Sequence, residues 1–281
     1  MLLNRSFDAQ DPHVHLAHSA ASAGYRLTCL DSVASTNDEA MRLAHAGDAG
    51  RHWIVAKEQS GGRGRHQRHW VSPPGNLYAS LLLIDPAPIA QAPQLGFVAG
   101  LSLFEALHPL LHHDQALGIK WPNDLVINGA KLAGILLEAA RLADGRLACV
   151  LGFGVNCTSH PHNLAYAASD LNALGLACGA QDVLEALSHY FLGWLDTWAR
   201  GEGFPQVRSA WLAHAAGLGG PIRVSVGSEM LDGVFRTIDM QGRLVMALAQ
   251  GERSIEAGDV FLPGHHTLTH QASTDQTRMS G

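Results

Sequence analysis

Lysine is nearly absent from this chain of 281 residues: there are three, Lys57, Lys120 and Lys131, against 16 arginines. Arginine serves here as the general surface cation. A lysine kept in such a background points to a place where a compact ammonium is needed and a planar guanidinium does not fit. Charge of either sign is also sparse, 16% of residues against about 25% in ordinary soluble domains. With a net charge of −6 there is no global positive field to attract nucleic acid or anionic membrane. No apolar run approaches the roughly 18–20 residues that cross a bilayer. The N-terminal MLLNRSFDAQDPHVH breaks at Asn4, Arg5 and Asp8 before a signal-peptide core can form. Cys29, Cys149, Cys157 and Cys178 are widely spaced with no CxxC pair. That excludes a stapled scaffold and fits a reducing cytoplasm. Histidine is plentiful, but its clusters (13/15/18, 108/112/113 and 265/266/270) lack cysteine or carboxylate partners at ligand spacing, so no structural metal is expected.

What remains is rich enough in apolar residues, 47%, to bury a substantial core. Residues 1–24 have no clear period and read as a flexible tail. Strands are expected at 25–30, 53–56, 76–84 and 147–155, and helices at 95–112, 183–199 and 205–216. Thr36-x-x-Glu39 has the pattern of a capping box opening a helix, with Gly47 as its stop. Trp194, Trp198 and Trp211 recur on helical faces and are expected in the core. Asn128-Gly129 between two β-prone runs signals a two-residue hairpin. Its register pairs Ile127 with Ala130, Val126 with Lys131 and Asp124 with Ala133, placing Asp124 and Lys131 on one face. Residues 157–172 look like a mobile loop. Near 217–221 (GLGGP) the pattern changes to short strands at small spacing, 222–226, 230–238, 244–248, 254–255 and 260–262. These predict a small SH3-like barrel docked on the first domain. Residues 264–281 read as a second tail.

Three local sequences carry chemistry. In Gln59–Arg68 (QSGGRGRHQR), Gly61, Gly62 and Gly64 alternate with Arg63 and Arg65. Glycines let backbone N–H groups approach an anion, and guanidiniums neutralise it. The loop has no GK[ST] and is no Walker A; alone, it fits a solvated or RNA-contacting loop equally well. Lys120-Trp121-Pro122-Asn123-Asp124, followed by Lys131-Leu132-Ala133-Gly134-Ile135, is too polar for a plain core strand. Two ammoniums and a carboxylate converging on one hairpin suit an acidic ligand with a metal ion, and Gly134 leaves room for that ligand. Gly152-Phe153-Gly154-Val155-Asn156 puts two glycines in a strand, which implies close approach by a neighbouring backbone or a ligand. Trp70 and Trp121 sit within these motifs, as ligand walls or as buried rings.

Taken together, Ser35-Thr36-Asn37, Gly62-Arg63-Gly64-Arg65, Trp70, Asn76-Leu77-Tyr78, the KWPND run at 120–124, KLAGIL at 131–136 and GFGVN at 152–156 resemble the biotin–protein ligases, in order and spacing, over about residues 25–263. The resemblance implies an α+β fold: a mixed, largely antiparallel sheet with helices, akin to class II synthetases. It implies a catalytic unit at 25–218 and an SH3-like unit at 219–263. It also implies a two-step activity. Biotin and Mg·ATP give biotinyl-5′-AMP, which then acylates one lysine of a biotin carboxyl carrier protein. Carried over by position, Ser35, Thr36, Asn37, Gln59, Gly62, Arg63, Gly64, Arg65, Lys131 and Gly134 surround biotin. Arg63, Arg65, Arg68, Trp70, Lys120, Asn123, Lys131 and Asn156 face the nucleotide. Lys131, Arg65, Lys120 and Asp124 are the candidate catalytic set. No protein-held metal is assigned; Mg²⁺ comes with ATP, with Asn123 or Asp124 near it.

Two departures stand out. Many relatives carry Arg and Gly after GRGR, where this chain has His66 and Gln67. Only 24 residues, with Arg5 their sole Lys/Arg, precede Tyr25, too few for a DNA-recognition domain. The expectation is therefore a ligase without DNA or membrane partners, monomeric or homodimeric. The alternatives are a lipoate-type ligase or acyltransferase and a non-catalytic biotin-binding module. The cation density around KWPND favours a ligase, because a transferase of pre-activated acyl groups has no triphosphate to hold.

Overall fold

The computed structural model describes residues 14–162, 164 and 166–263. The expected tail at 264–281 and residues 1–13 of the other tail lie outside them. The remainder of the 1–24 segment corrects the tail reading. His18–Ser22 form a short helix, α1. Leu16, Ala17 and Ala20 are buried, and the Ala17 N–H donates to Ser188 Oγ at 2.9 Å. So short a run of small residues carries no readable period; docking, rather than propensity, makes it helical.

The elements that follow are β1 (Arg26–Val33), α2 (Thr36–His45), β2 (His52–Gln59), β3 (Leu77–Ile84), α3 (Leu95–Leu107), β4 (Leu117–Lys120), β5 (Asp124–Ile127), β6 (Ala130–Arg141) and β7 (Leu147–Val155). Helices α4 (Ala180–Trp198) and α5 (Phe204–Ala213) close the first part. The strands form one seven-stranded sheet in the order β1-β2-β3-β7-β6-β5-β4. Only β1–β2 is parallel; the other neighbours are antiparallel. This is a mixed α+β fold.

The centre of the sheet explains its apolar sequence. In LYASLLLI every residue of β3 but the last is buried. A strand covered on both faces reads as a continuous apolar run. On one face, Ala40 and Ala44 of α2 pack over Ile54, Leu82 and Val150. On the other lie α3 and α4, where Trp53 meets Phe153 and Phe191. Helix α3 is buried almost all round, as expected of a helix wedged between a sheet and other helices. Trp198 and Trp211 are fully buried; Trp194 is half-buried at the edge of the core.

Local boundaries follow residue chemistry. Helix α2 begins one residue earlier than the Thr36-x-x-Glu39 pattern implies. Ser35 is the N-cap, accepting from the Asp38 N–H. Thr36 instead turns inward, its hydroxyl donating to Gln59 Oε1 at 3.1 Å, and Glu39 pairs with Arg42. Gly47 stops the helix at φ +92°. The β5–β6 hairpin has the predicted turn, with Ile127 opposite Ala130 and Val126 opposite Lys131. A bulge then shifts the register, so that Leu125 faces Ala133 and Asp124 faces Gly134, not Ala133.

The 157–172 stretch, expected to be a mobile loop, is bonded to the fold at both of its described ends. Asn76 Oδ1 accepts from the backbone N–H groups of Cys157, Thr158 and Ser159 at 2.8, 2.9 and 3.3 Å. His160 pairs with the buried Asp170 at 2.6 Å. The far end of the stretch bonds to Lys131 through Ala167 O and the Ser169 N–H.

A second, five-stranded antiparallel sheet contains β8 (Pro221–Val226), β9 (Glu229–Ile238), β10 (Leu244–Leu248), β11 (Gly251–Ile255) and β12 (Asp259–Phe261), in the order β11-β10-β9-β8-β12. It is docked on the first part of the chain by specific bonds from the β4–β5 turn and from α5. Trp121 Nε1 donates to Gly242 O at 3.1 Å, and Arg208 reaches Ile238 O and, at 2.8 Å, Thr237 Oγ1.

Candidate active site

Between the two sheets lies a cavity of about 490 Å³, well inside the roughly 300–1,000 Å³ range of small-molecule sites. Its floor is the β6–β7 ladder, where Gly134 and Gly154 stand opposite each other. The Trp70 indole lies across this pair. A Cβ on Gly154 would fall 2.6 Å from the ring, and one on Gly134 would fall 3.3 Å from it. The second glycine of the GFG run therefore makes room for Trp70, and the first, Gly152, makes room for the Asn37 amide. Gly134 lines the cavity, with Trp70 and the Lys131 side chain packed beside it.

One end is lined mainly by neutral polar side chains. Ser35, Thr36 and Asn37 at the start of α2 are buried, and Gln59 closes over them. Gln59 Oε1 accepts from the Thr36 N–H at 2.8 Å. Ser80 Oγ donates to Asn37 Oδ1 at 2.6 Å, and Asn37 Nδ2 donates to Glu138 Oε2 at 2.7 Å. Such a bonded cluster fixes donors and acceptors for a compact polar head group.

The other end is ionic. Asp124 bridges Lys131 Nζ at 2.6 Å and Lys120 Nζ at 3.1 Å. Burial pushes its carboxyl up, but the two ammoniums outweigh that and hold it below the ordinary carboxylate value. Lys131 Nζ also lies 5.4 Å from the centre of the Trp70 ring and 5.7 Å from that of Tyr166, within cation–π range. Asn123 donates to Ile135 O at 2.6 Å and accepts from Arg65 Nη1 at 3.5 Å. Arg68 reaches Asp259 of β12.

Several sequence-predicted residues have other duties. Asn156 does not line the cavity; its amide donates to Ser169 O at 3.0 Å and holds the 157–172 stretch. Lys57 pairs with Asp31 at 2.8 Å, away from the site, so only two of the three rare lysines belong to it. Arg63 borders the cavity, but its guanidinium forks onto Asp38 at 2.6–2.8 Å and meets Glu138 at 3.0 Å. It is thereby committed to joining the loop to α2 and β6. Gly62 packs inward, where a Cβ would meet Ser72, Trp70 and Gln59, and Gly64 lines the cavity. Gln67 takes φ +58°, in the left-handed region that glycine enters without steric cost. Sequence reading missed Tyr166 and Asp259, which reach the cavity from a stretch read as mobile and from the second sheet. Among the described residues, no three His, Cys, Asp or Glu side chains form a metal-holding group.

The chain is similar to known proteins over most of its length. Residues 29–156 match the biotin/lipoate A/B protein ligase family. The chain is 40% identical over 239 residues to a biotin–[acetyl-CoA-carboxylase] ligase of Paracoccus denitrificans, covering 82% of this chain and 98% of that one. A ligase of the same name from Mycobacterium tuberculosis is 31% identical, with 85% and 90% covered. Among solved structures, the biotin protein ligase of Aquifex aeolicus in complex with biotin and ATP superposes with a TM-score of 0.71 at 26% identity, over 84% of this chain and 97% of that one. This chain belongs to the biotin/lipoate A/B protein ligase family, among its biotin–protein ligases.

Proposed function

We propose that the protein joins biotin to a lysine of a biotin carboxyl carrier protein in two steps. In the first, a carboxylate oxygen of biotin attacks the α-phosphorus of ATP, a P–O bond breaks, and pyrophosphate leaves. In the second, a carrier amine attacks the acyl carbon of biotinyl-5′-AMP. AMP departs with the electrons of the acyl–oxygen bond, and the amine loses its proton to solvent. The observation that supports this reading is the composition of the ionic end. Lys120, Lys131, Arg65 and Arg68 converge on one cavity, against two carboxylates, Asp124 and Asp259. Joining a carboxylate to a triphosphate forces anions together, and fixed cations in a partly dry site stabilise that approach.

The polar end with Ser35, Thr36, Asn37 and Gln59 suits the ureido ring, with Trp70 as the wall along the acyl chain. Lys131 is best placed for the carboxylate and α-phosphate, being central and steered by Asp124, Trp70 and Tyr166. Lys120, Arg65 and Arg68 would take the phosphates. Asp124 is a poor base while two ammoniums hold it ionised; its part is to aim them. Mg²⁺ enters as part of the substrate Mg·ATP. The donors present do not fit a protein-held Mg²⁺, since Asp124 is committed to two lysines and Asn123 to Ile135 and Arg65. We further assign the catalytic unit to 25–218, with the preceding helix docked on it, and an SH3-like unit to 219–263. The test is mass spectrometry of a carrier domain after incubation with biotin, Mg·ATP and the protein. One biotinyl group on one lysine is expected; an unmodified carrier would refute the reading.

A further inference from the structure

Arg65 and Arg68, the two loop cations of the ionic end, both reach the C-terminal sheet. Arg68 Nη2 donates to Asp259 Oδ2, a contact between residues 191 positions apart. Arg65 Nη1 lies 3.9 Å from Asp259 Oδ1 and donates to Gly258 O at 3.1 Å. Asp259 is the first residue of β12 and is only 25% exposed at its side chain. The turn that carries it is tightly seated: a Cβ on Gly258 would lie 2.8 Å from Ser225 O of β8. A rigid edge of the second sheet thus presents one carboxylate and one carbonyl to two guanidiniums of a loop that is otherwise rooted in the first sheet.

We propose that Asp259 is a positioning residue, holding Arg65 and Arg68 at the cavity mouth so that the C-terminal sheet completes the phosphate-binding half of the site. Each guanidinium has five N–H donors, so bonds to Asp259 and Gly258 leave others to face an incoming phosphate. Without Asp259, Arg68, whose side chain is 63% exposed, regains rotamer freedom that nucleotide binding must then remove. The phosphate part rests on the function proposed above; the holding of the loop does not.

Two measurements on the full chain separate these parts. Trypsin cleaves after an arginine only when its guanidinium is free to enter the protease. In the ligand-free protein, Asp259→Asn is expected to speed cleavage after Arg65 and Arg68 at least fivefold relative to Arg146, which lies in the distant β6–β7 turn. Asp259→Glu, which keeps the charge, is expected to retain most of the wild-type ratio. A variant that merely unfolds speeds Arg146 as well and leaves the ratio unchanged. An unchanged ratio in Asp259→Asn with its thermal midpoint preserved, or an equal rise in Asp259→Glu, overturns the positioning role. The second measurement is titration with Mg·ATP and with biotin, read by tryptophan fluorescence. Asp259→Asn is expected to weaken ATP five- to tenfold and to leave biotin within twofold. A freed loop with unchanged ATP affinity overturns the link to phosphate, whereas a wild-type protein that binds no ATP overturns the function proposed for the cavity.

Discussion

Replacing Asp124 by asparagine removes the carboxylate that lies between Lys131 Nζ at 2.6 Å and Lys120 Nζ at 3.1 Å, and leaves two ammoniums facing each other. Removing one partner of a buried ion pair costs roughly 3–5 kcal/mol. The lysine side chains keep 22% and 18% of their exposure, so both heads can turn partly to water, and the low end, about 3 kcal/mol, applies. For a chain of this size that is a fall of about 6–12 °C in Tm. The pH dependence has a definite sign. The carboxyl of Asp124 is held below its ordinary value of 3.8 in the folded protein. Its contribution is therefore fully present above the unfolded-state pKa and is lost as pH falls through the folded one. Thermal unfolding followed by circular dichroism from pH 7 down to pH 3 measures both. The gap between wild type and Asp124→Asn should be constant at neutral pH and narrow below about pH 4. A gap under about 2 °C at pH 7, or one that widens in acid, would show that the carboxylate does not neutralise the two lysines.

Three further outcomes follow from the geometry. Lys131→Arg should slow biotin-dependent pyrophosphate exchange by about 10²–10³, the usual effect of losing one aligned donor at a developing charge, because the larger fork displaces Trp70 or Tyr166; near-normal exchange contradicts the assignment. Gly154→Ala should drive the indole off the β6–β7 floor, with a shifted Trp70 emission and biotin binding weakened at least tenfold; equilibrium titration gives the answer. Removing residues 1–24 should lower Tm, because it exposes the surface covered by Leu16, Ala17 and Ala20, at about 1.5–3 kcal/mol for one buried leucine; an unchanged midpoint would mean α1 adds no stability.

How far the sequence foretold this depends on distance along the chain. The β5–β6 hairpin was legible because Asn128-Gly129 sets its turn locally, and Asp124 and Lys131 do meet. The bulge between them was not, since nothing local marks the fully buried Leu132 as the residue left without a partner across the ladder. The arginine-rich loop was legible as part of a site, and Gly64, Arg65 and Arg68 do line the cavity, but the separate fates of Arg63 and Arg65 were not. They are decided by Asp38 and Glu138 on one side and by Asp259 on the other. Asn156, expected on the nucleotide side, bonds Ser169 O 13 positions away, a contact that nothing local in the sequence announces. Lys57 shows the limit of composition: rarity drew attention to three lysines, and Asp31 claims one of them.

The proposed chemistry joins a carboxylate to a nucleotide in the cavity, and exchange of labelled pyrophosphate into ATP reports that step without any carrier protein. Label should appear in ATP only when biotin is present with Mg²⁺, and Lys131→Ala should abolish it. Exchange that proceeds without biotin, or none at all from a folded protein that binds both substrates, would contradict it.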